Sequence, residues 1–195
     1  MDEKLRELTG KIRDLERELV RELQKKEREF GYEVKERKVR FTEEAKAAHQ
    51  KLAKRTARFL RESRWPTLLT APVIYGVLPV LVLLDLATTV FQAVCFPIYG
   101  IPRVARGDYI AIDRHHLHYL NGIEKMNCVY CGYANGLLAY LGEMAGRTEQ
   151  YWCPIKHALR LRRTHSRYGN FIDYGNADRY REEIEKVRRD FEDIE

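Results

Sequence analysis

Apolar positions along the chain recur first at helical spacing, then almost without interruption, then again at helical spacing. Leu5, Leu8, Ile12, Leu15 and Leu19 keep a 3-4 rhythm, and a shifted stripe resumes at Leu23, Phe30 and Val34 and continues through Phe41, Ala45, Ala48, Leu52 and Phe59. Acid-before-base pairs four residues apart, Asp2/Arg6, Glu7/Lys11, Glu22/Lys26, Glu33/Arg37 and Glu36/Arg40, support a helix over the same stretch. Gly31 marks a break. Thr42 followed by Glu43 and Glu44 has the form of an N-cap with acids at the positive end of the helix dipole. The pattern predicts a charged helical arm that either forms a coiled coil with a second copy or a partner, or packs on its own domain.

From residue 65 to 102 the chain holds no Lys or Arg and a single acid, Asp85. Residues 67–84 are uncharged and would form a helix roughly 27 Å long, close to the thickness of a bilayer's hydrocarbon core. Five prolines, Pro66, Pro72, Pro79, Pro97 and Pro102, lie in or beside this block with Gly76 and Gly100, and Pro79 would kink a simple spanning helix. Lys51, Lys54, Arg55, Arg58, Arg61 and Arg64 precede the block, and Arg103 and Arg106 follow it. Basic flanks on both sides favour both ends lying in the cytoplasm, so the expectation is a membrane-embedded helical hairpin or re-entrant segment bending near Gly76 to Pro79. Trp65 and Tyr99 suit the two interfacial levels. Asp85 is costly in lipid unless it caps a turn, faces protein or exchanges a proton, which makes it a candidate proton-transfer residue. Cys95 reads as a small buried hydrophobe.

The region after the block carries the chemistry. Cys128 and Cys131 form a C-x2-C pair, and Cys153 and His157 follow as C-x3-H: three thiolates and an imidazole, the ligand set of a closed tetrahedral site. A helix beginning near Pro154 would place Cys153 and His157 on one face. Zinc fits this set; an iron-sulfur cluster fits it as well, and spacing does not separate the two. A C-x2-C dithiol is the redox alternative. His115 and His118, three apart with Glu124 downstream, are candidates for a second site or for proton transfer, against a plain reading as surface histidines with His116 pointing away. Residues 133–150 read as a helix whose small residues Asn135, Ala139, Gly142 and Gly146 would admit close helix approach. Glu143, Arg147 and Glu149 form a polar cluster on it, and residues 177–191 read as a closing amphipathic helix.

Charge sharpens the division. The chain has 195 residues, 35 Lys or Arg and 29 Asp or Glu, net +6. Residues 1–64 hold 20 basic and 14 acidic residues and residues 65–195 hold 15 of each, so the whole excess precedes the apolar block. That placement fits a juxtamembrane flank and disfavours nucleic-acid binding, which lacks any reader motif here. The mean hydropathy of -0.51 therefore averages unlike parts. The expected fold is mainly α in three regions: 1–64, a charged arm; 65–102, a membrane-associated segment; and 103–195, a small helical Cys/His domain. The expected function is a membrane-associated metal-binding protein of the cytoplasmic face, a zinc-stabilised scaffold or recruiter of partners through residues 1–64. The alternative is an iron-sulfur or thiol redox protein acting on a membrane-soluble substrate. No P-loop, dinucleotide fingerprint, nucleophile elbow or kinase motif marks a reaction.

Overall fold

The computed structural model describes the backbone of residues 3–194 and the side chains of Lys11 and of residues 14–194. Asp2 and the side chains of Leu5, Leu8 and Ile12, with the pairs Asp2/Arg6 and Glu7/Lys11, lie outside the described residues. The protein is mainly helical and divides into two compact units, Met1–Glu62 with Asp113–Val129, and Ser63–Ile112 with Tyr130–Glu195.

In the first unit, α1 (Glu3–Phe30) ends at Gly31, whose positive φ of 62° is the left-handed conformation glycine adopts most readily. The helical stripe expected through Val34 to Phe41 is not formed. β1 (Tyr32–Lys35) and β2 (Lys38–Phe41) instead pair antiparallel, Tyr32 opposite Phe41 and Lys35 opposite Lys38. Glu36 and Arg37 turn the hairpin with φ of 48° and 63°, the positive values a two-residue loop needs to match strand twist. Alternation at Tyr32, Val34, Val39 and Phe41 satisfies a period of two as well as the helical stripe, and the turn decides between them. Thr42 then caps α2 (Glu43–Leu52) as expected, its Oγ1 accepting from the Ala45 N–H at 3.3 Å. A short α3 (Thr56–Glu62) follows, where Lys54 and Arg58 both bond Glu62.

The second unit is built on the apolar block. α4 (Trp65–Gly76) and α5 (Leu78–Tyr99) are separated only by Val77, which keeps right-handed helical dihedrals, so Trp65–Tyr99 is one 35-residue helical stretch. The expected hairpin about Gly76 to Pro79 is therefore not made. Proline's missing N–H is tolerated in a first helical turn, and Pro79 sits there in α5. The interruption is satisfied locally: Val77 N–H donates to the Ile74 carbonyl, which also accepts from the Tyr130 hydroxyl at 3.0 Å. Gly100, at φ 68°, closes α5, with Ile101 N–H reaching back to the Phe96 carbonyl.

Residues 101–112 then run back between α5 and α6 (Gly122–Trp152). Arg103 bonds the Ala93 carbonyl, Val104 meets Gln92, and Arg106 meets Asp85, so the segment is antiparallel to α5. Tyr133, Tyr140 and Tyr151 of α6 meet Asp85, Gln92 and Tyr99 in turn, so α5 and α6 are parallel. Fully buried Phe96, Leu137 and Tyr140 form the core with Leu81, Ile101, Val104, Met144 and Phe191. Burial of such side chains contributes about 1.5–3 kcal/mol each. α7 (Ala177–Val187) closes the chain, capped by Asn176.

Small residues of α6 set the spacing, but they admit loops rather than a helix. A Cβ at Gly136 would lie 2.7 Å from the Tyr109 carbonyl oxygen and 2.8 Å from Ile110 Cα, and one at Gly146 would lie 2.6 Å from His165 Nδ1. At Gly142 nothing stands within 4 Å. Gly136→Ala is expected to lower stability by about 1–3 kcal/mol through a clash with backbone, whereas Gly142→Ala raises it by up to about 1 kcal/mol through helix propensity. Thermal unfolding of the two variants checks this, and equal shifts would refute the close approach at Gly136.

Candidate functional site

The largest exposed feature of the second unit is apolar. Leu69, Val73, Val77, Val80, Leu83, Val90, Val94 and Ile98 follow helical spacing along α4 and α5, and all are exposed, Val73 and Ile98 at 73%. Of Trp65–Tyr99 only Leu81 and Phe96 are buried. α4 has no buried residue on any side, while α5 turns Leu81 and Phe96 into the core.

Asp85 faces protein. Its Oδ2 accepts from the Arg106 guanidinium and from the Tyr133 hydroxyl at 2.9 Å, and its buried Oδ1 has no partner. Seven residues on, Gln92 Oε1 accepts from Val104 N–H at 2.8 Å while its Nε2 donates to the Val104 carbonyl and to Tyr140 Oη. The charge that the sequence set inside an apolar helix is thus neutralised by the returning chain.

The four expected metal ligands take other places. Cys128 and Cys131 lie within α6, one turn apart, and Cys153 follows its last residue. The 21 helical residues between Cys131 and Cys153 hold those two about 30 Å apart along the axis. No helix begins at Pro154: Ile155 forms a bridge with Ile172, so Cys153 and His157 share no helical face. Among the described residues no group of three or more His, Cys, Asp or Glu side chains is arranged to hold a metal ion. His157 instead approaches Glu149, Nε2 to Oε1 at 4.0 Å, and the other Glu149 oxygen lies 3.0 Å from His165 Nε2. His165 Nδ1 accepts from Arg167 N–H at 3.2 Å.

In the first unit, Glu124 and Asn121 form a reciprocal cap on α6. Asn121 Oδ1 accepts from Ile123 and Glu124 N–H, and Glu124 Oε2 accepts from Asn121 N–H. His115 lies in a 3-10 turn, its ring tilted against that of His116, and His118 lies beyond it against Phe41, so the expected shared helical face of His115 and His118 is absent. Nδ1 of His49, His115 and His118 is buried without a hydrogen-bond partner. Burial, with Lys125 and Lys46 nearby, holds His118 below the ordinary imidazole pKa.

The sequence reading named Glu143 and Arg147 as a polar cluster without their partners, and missed Gln92 and Gln150, which help bind the second unit together. Arg147 bonds Glu143 at 2.8 Å and the Pro102 and Arg103 carbonyls. Gln150 donates to the Val187 and Asp190 carbonyls and accepts from Arg167, which also pairs with Asp193 through two bonds. A polar residue repeated on the inner face of an apolar-striped helix was the available signal. A cleft of about 710 Å³ beside this cluster is lined by Tyr109, Asn135, Gly142, Glu143, Arg163 and His165.

Burial pushes Glu143 up, but hydrogen bonds from Ser166 and Arg147 outweigh it and hold its carboxyl below the usual value of 4.5. A depressed carboxyl stabilises the fold above the unfolded-state pKa and loses that contribution as pH falls through the folded one. Glu143→Gln is accordingly expected to cost about 1.5–3 kcal/mol at pH 6, a deficit that shrinks steadily below the usual carboxyl value of 4.5. Thermal unfolding across pH measures it; a deficit independent of pH would show that the charge on Glu143 is not what matters.

Comparison with known proteins does not add a relative: no family model, no curated protein and no solved structure matches the chain.

Proposed function

We propose that this protein is a membrane-associated helical scaffold, held to the bilayer by α4 and α5, that recruits partners through its charged N-terminal arm. The observation that carries this reading is the uncovered apolar face of Trp65–Tyr99, far longer and more continuous than the apolar patches a water-exposed surface tolerates.

Length and charge argue for the manner of attachment. Thirty-five helical residues extend about 52 Å, against a hydrocarbon core of about 30 Å. Asp85, with Arg106 and the returning segment, sits partway along one side. A helix covered by polar protein on one face and bare on the other suits the plane of the interface, with the bare side in the acyl region. α4, with no buried residue and about 18 Å long at 12 residues, is suited to dip inward without crossing. This placement keeps the basic flanks on either side of the block on one face, the cytoplasmic one by the positive-inside rule. The arm supports recruitment: Leu15, Leu19 and Leu23 form an exposed apolar stripe on α1 among charges, the pattern of a helix that pairs with another. Metal binding finds no comparable support, because α6 keeps Cys131 and Cys153 apart.

Three changes on the bare face, Val73→Asp, Val80→Asp and Val90→Asp, remove about 1.5–3 kcal/mol of burial each and should lower vesicle partitioning more than ~100-fold. Co-flotation of the full chain with vesicles measures the loss, and unchanged flotation would sink the reading. Impermeant thiol labelling of cysteines introduced at Ser63 and Asp108 should modify both from the same side of the membrane. Labelling from opposite sides would show a crossing helix and overturn the in-plane placement.

A further inference from the structure

The loop after α6 carries Leu159, Arg160, Leu161, Arg162 and Arg163 in succession, a basic and apolar sequence with no regular secondary structure. Leu159 is 82% exposed and stands bare, and Leu161, at 42%, is partly covered. Among the described residues, none of the three arginines has a carboxylate within ion-pair distance. The acids nearby are engaged elsewhere: Glu143 by Arg147 and Ser166, Glu149 by His165, and Asp173 by Lys156. A solvated loop gains nothing from exposed leucines between unpaired arginines. A surface that accepts both is a bilayer headgroup layer, with phosphates for the guanidinium groups and acyl chains within reach of the leucines.

The position of the loop agrees. Trp152, exposed at the end of α6, packs edge-on against Tyr99 at the end of α5 with ring centroids 5.3 Å apart. Aromatic side chains of this kind mark the level of the membrane-water interface. His157, from which the loop departs, approaches Glu149, one turn before Trp152. The arginines therefore leave the fold close to the level where the bare face of α5 ends at Ile98.

We propose that residues 158–164 bind the headgroups of anionic phospholipids, with Arg160, Arg162 and Arg163 on phosphate and Leu159 and Leu161 in the acyl boundary. The proposal rests on the membrane placement of α4 and α5 and names the lipid chemistry that placement selects. Each arginine near an anionic surface strengthens binding about fivefold at physiological salt, so three give roughly 100-fold at most.

The test is co-flotation of the full chain with vesicles of phosphatidylcholine alone or with added phosphatidylserine. The unaltered chain should favour the serine-containing vesicles by 10- to 100-fold. The variant Arg160→Gln/Arg162→Gln/Arg163→Gln should lose about fivefold of that preference per arginine and keep its binding to neutral vesicles. A second variant, Lys51→Gln/Arg55→Gln/Arg61→Gln/Arg64→Gln, removes the basic flank before α4, and its loss should add to that of the loop variant rather than replace it. The proposal is overturned if the loop variant keeps the whole preference, if it loses neutral binding as well, or if millimolar inorganic phosphate abolishes the preference of the unaltered chain. Failure of the unaltered chain to bind either vesicle would refute the membrane placement itself, whereas equal binding to both refutes only the loop.

Discussion

The peptide groups of residues 102–104 have neither strand nor helix to bond with, yet they lie between two packed helices. Unbonded, a buried peptide group such as that of Val104 costs on the order of 1–3 kcal/mol. Gln92 takes the N–H and carbonyl of Val104, and Arg147 takes the carbonyls of Pro102 and Arg103. These contacts hold the returning chain in place. Only with that chain in place can α5 and α6 lie parallel, since a tight turn would have made them antiparallel. Gly136 belongs to the same constraint, because a side chain there would meet the backbone of Tyr109 and Ile110.

The returning chain also decides the state of Asp85. An acid in an apolar helix is a functional candidate while its surroundings are unknown. Here Arg106 and Tyr133 reach it from the return and from α6, and the pair sits on the protein side of α5. The opposite side is left free of charge along its whole length. One residue pair therefore separates a helix that is half protein core from the lipid-facing surface proposed for it. The polar clusters farther along α6, Glu143 with Arg147 and Gln150 with Arg167, extend the same pattern: polar atoms turned inward to bond irregular backbone, apolar atoms left outside.

Chain periodicity made much of the helical content legible. The Gly31 break, the Thr42 cap, the helix over 133–150 and the closing helix at 177 are each specified by neighbours within a few residues, and each is present. Where two local patterns agreed with one sequence, as over residues 32–41, the left-handed turn at Glu36 and Arg37 decided for a hairpin. Spacing did not bring Cys128, Cys131, Cys153 and His157 together in this structure. Ligand spacing supposes a flexible connection, and the residues between Cys131 and Cys153 form a rigid helix.

By itself, the sequence determined the break at Gly31, the cap at Thr42, the uninterrupted apolar block, and the basic charge before it, because capping, periodicity and composition act over short distances. Only the tertiary structure decided which side of that block meets protein, which carbonyls Gln92 and Arg147 bond, and where Asp85 finds its partners. Those depend on the path of residues 101–112, set by contacts between residues dozens of positions apart, and no local pattern encodes such a path.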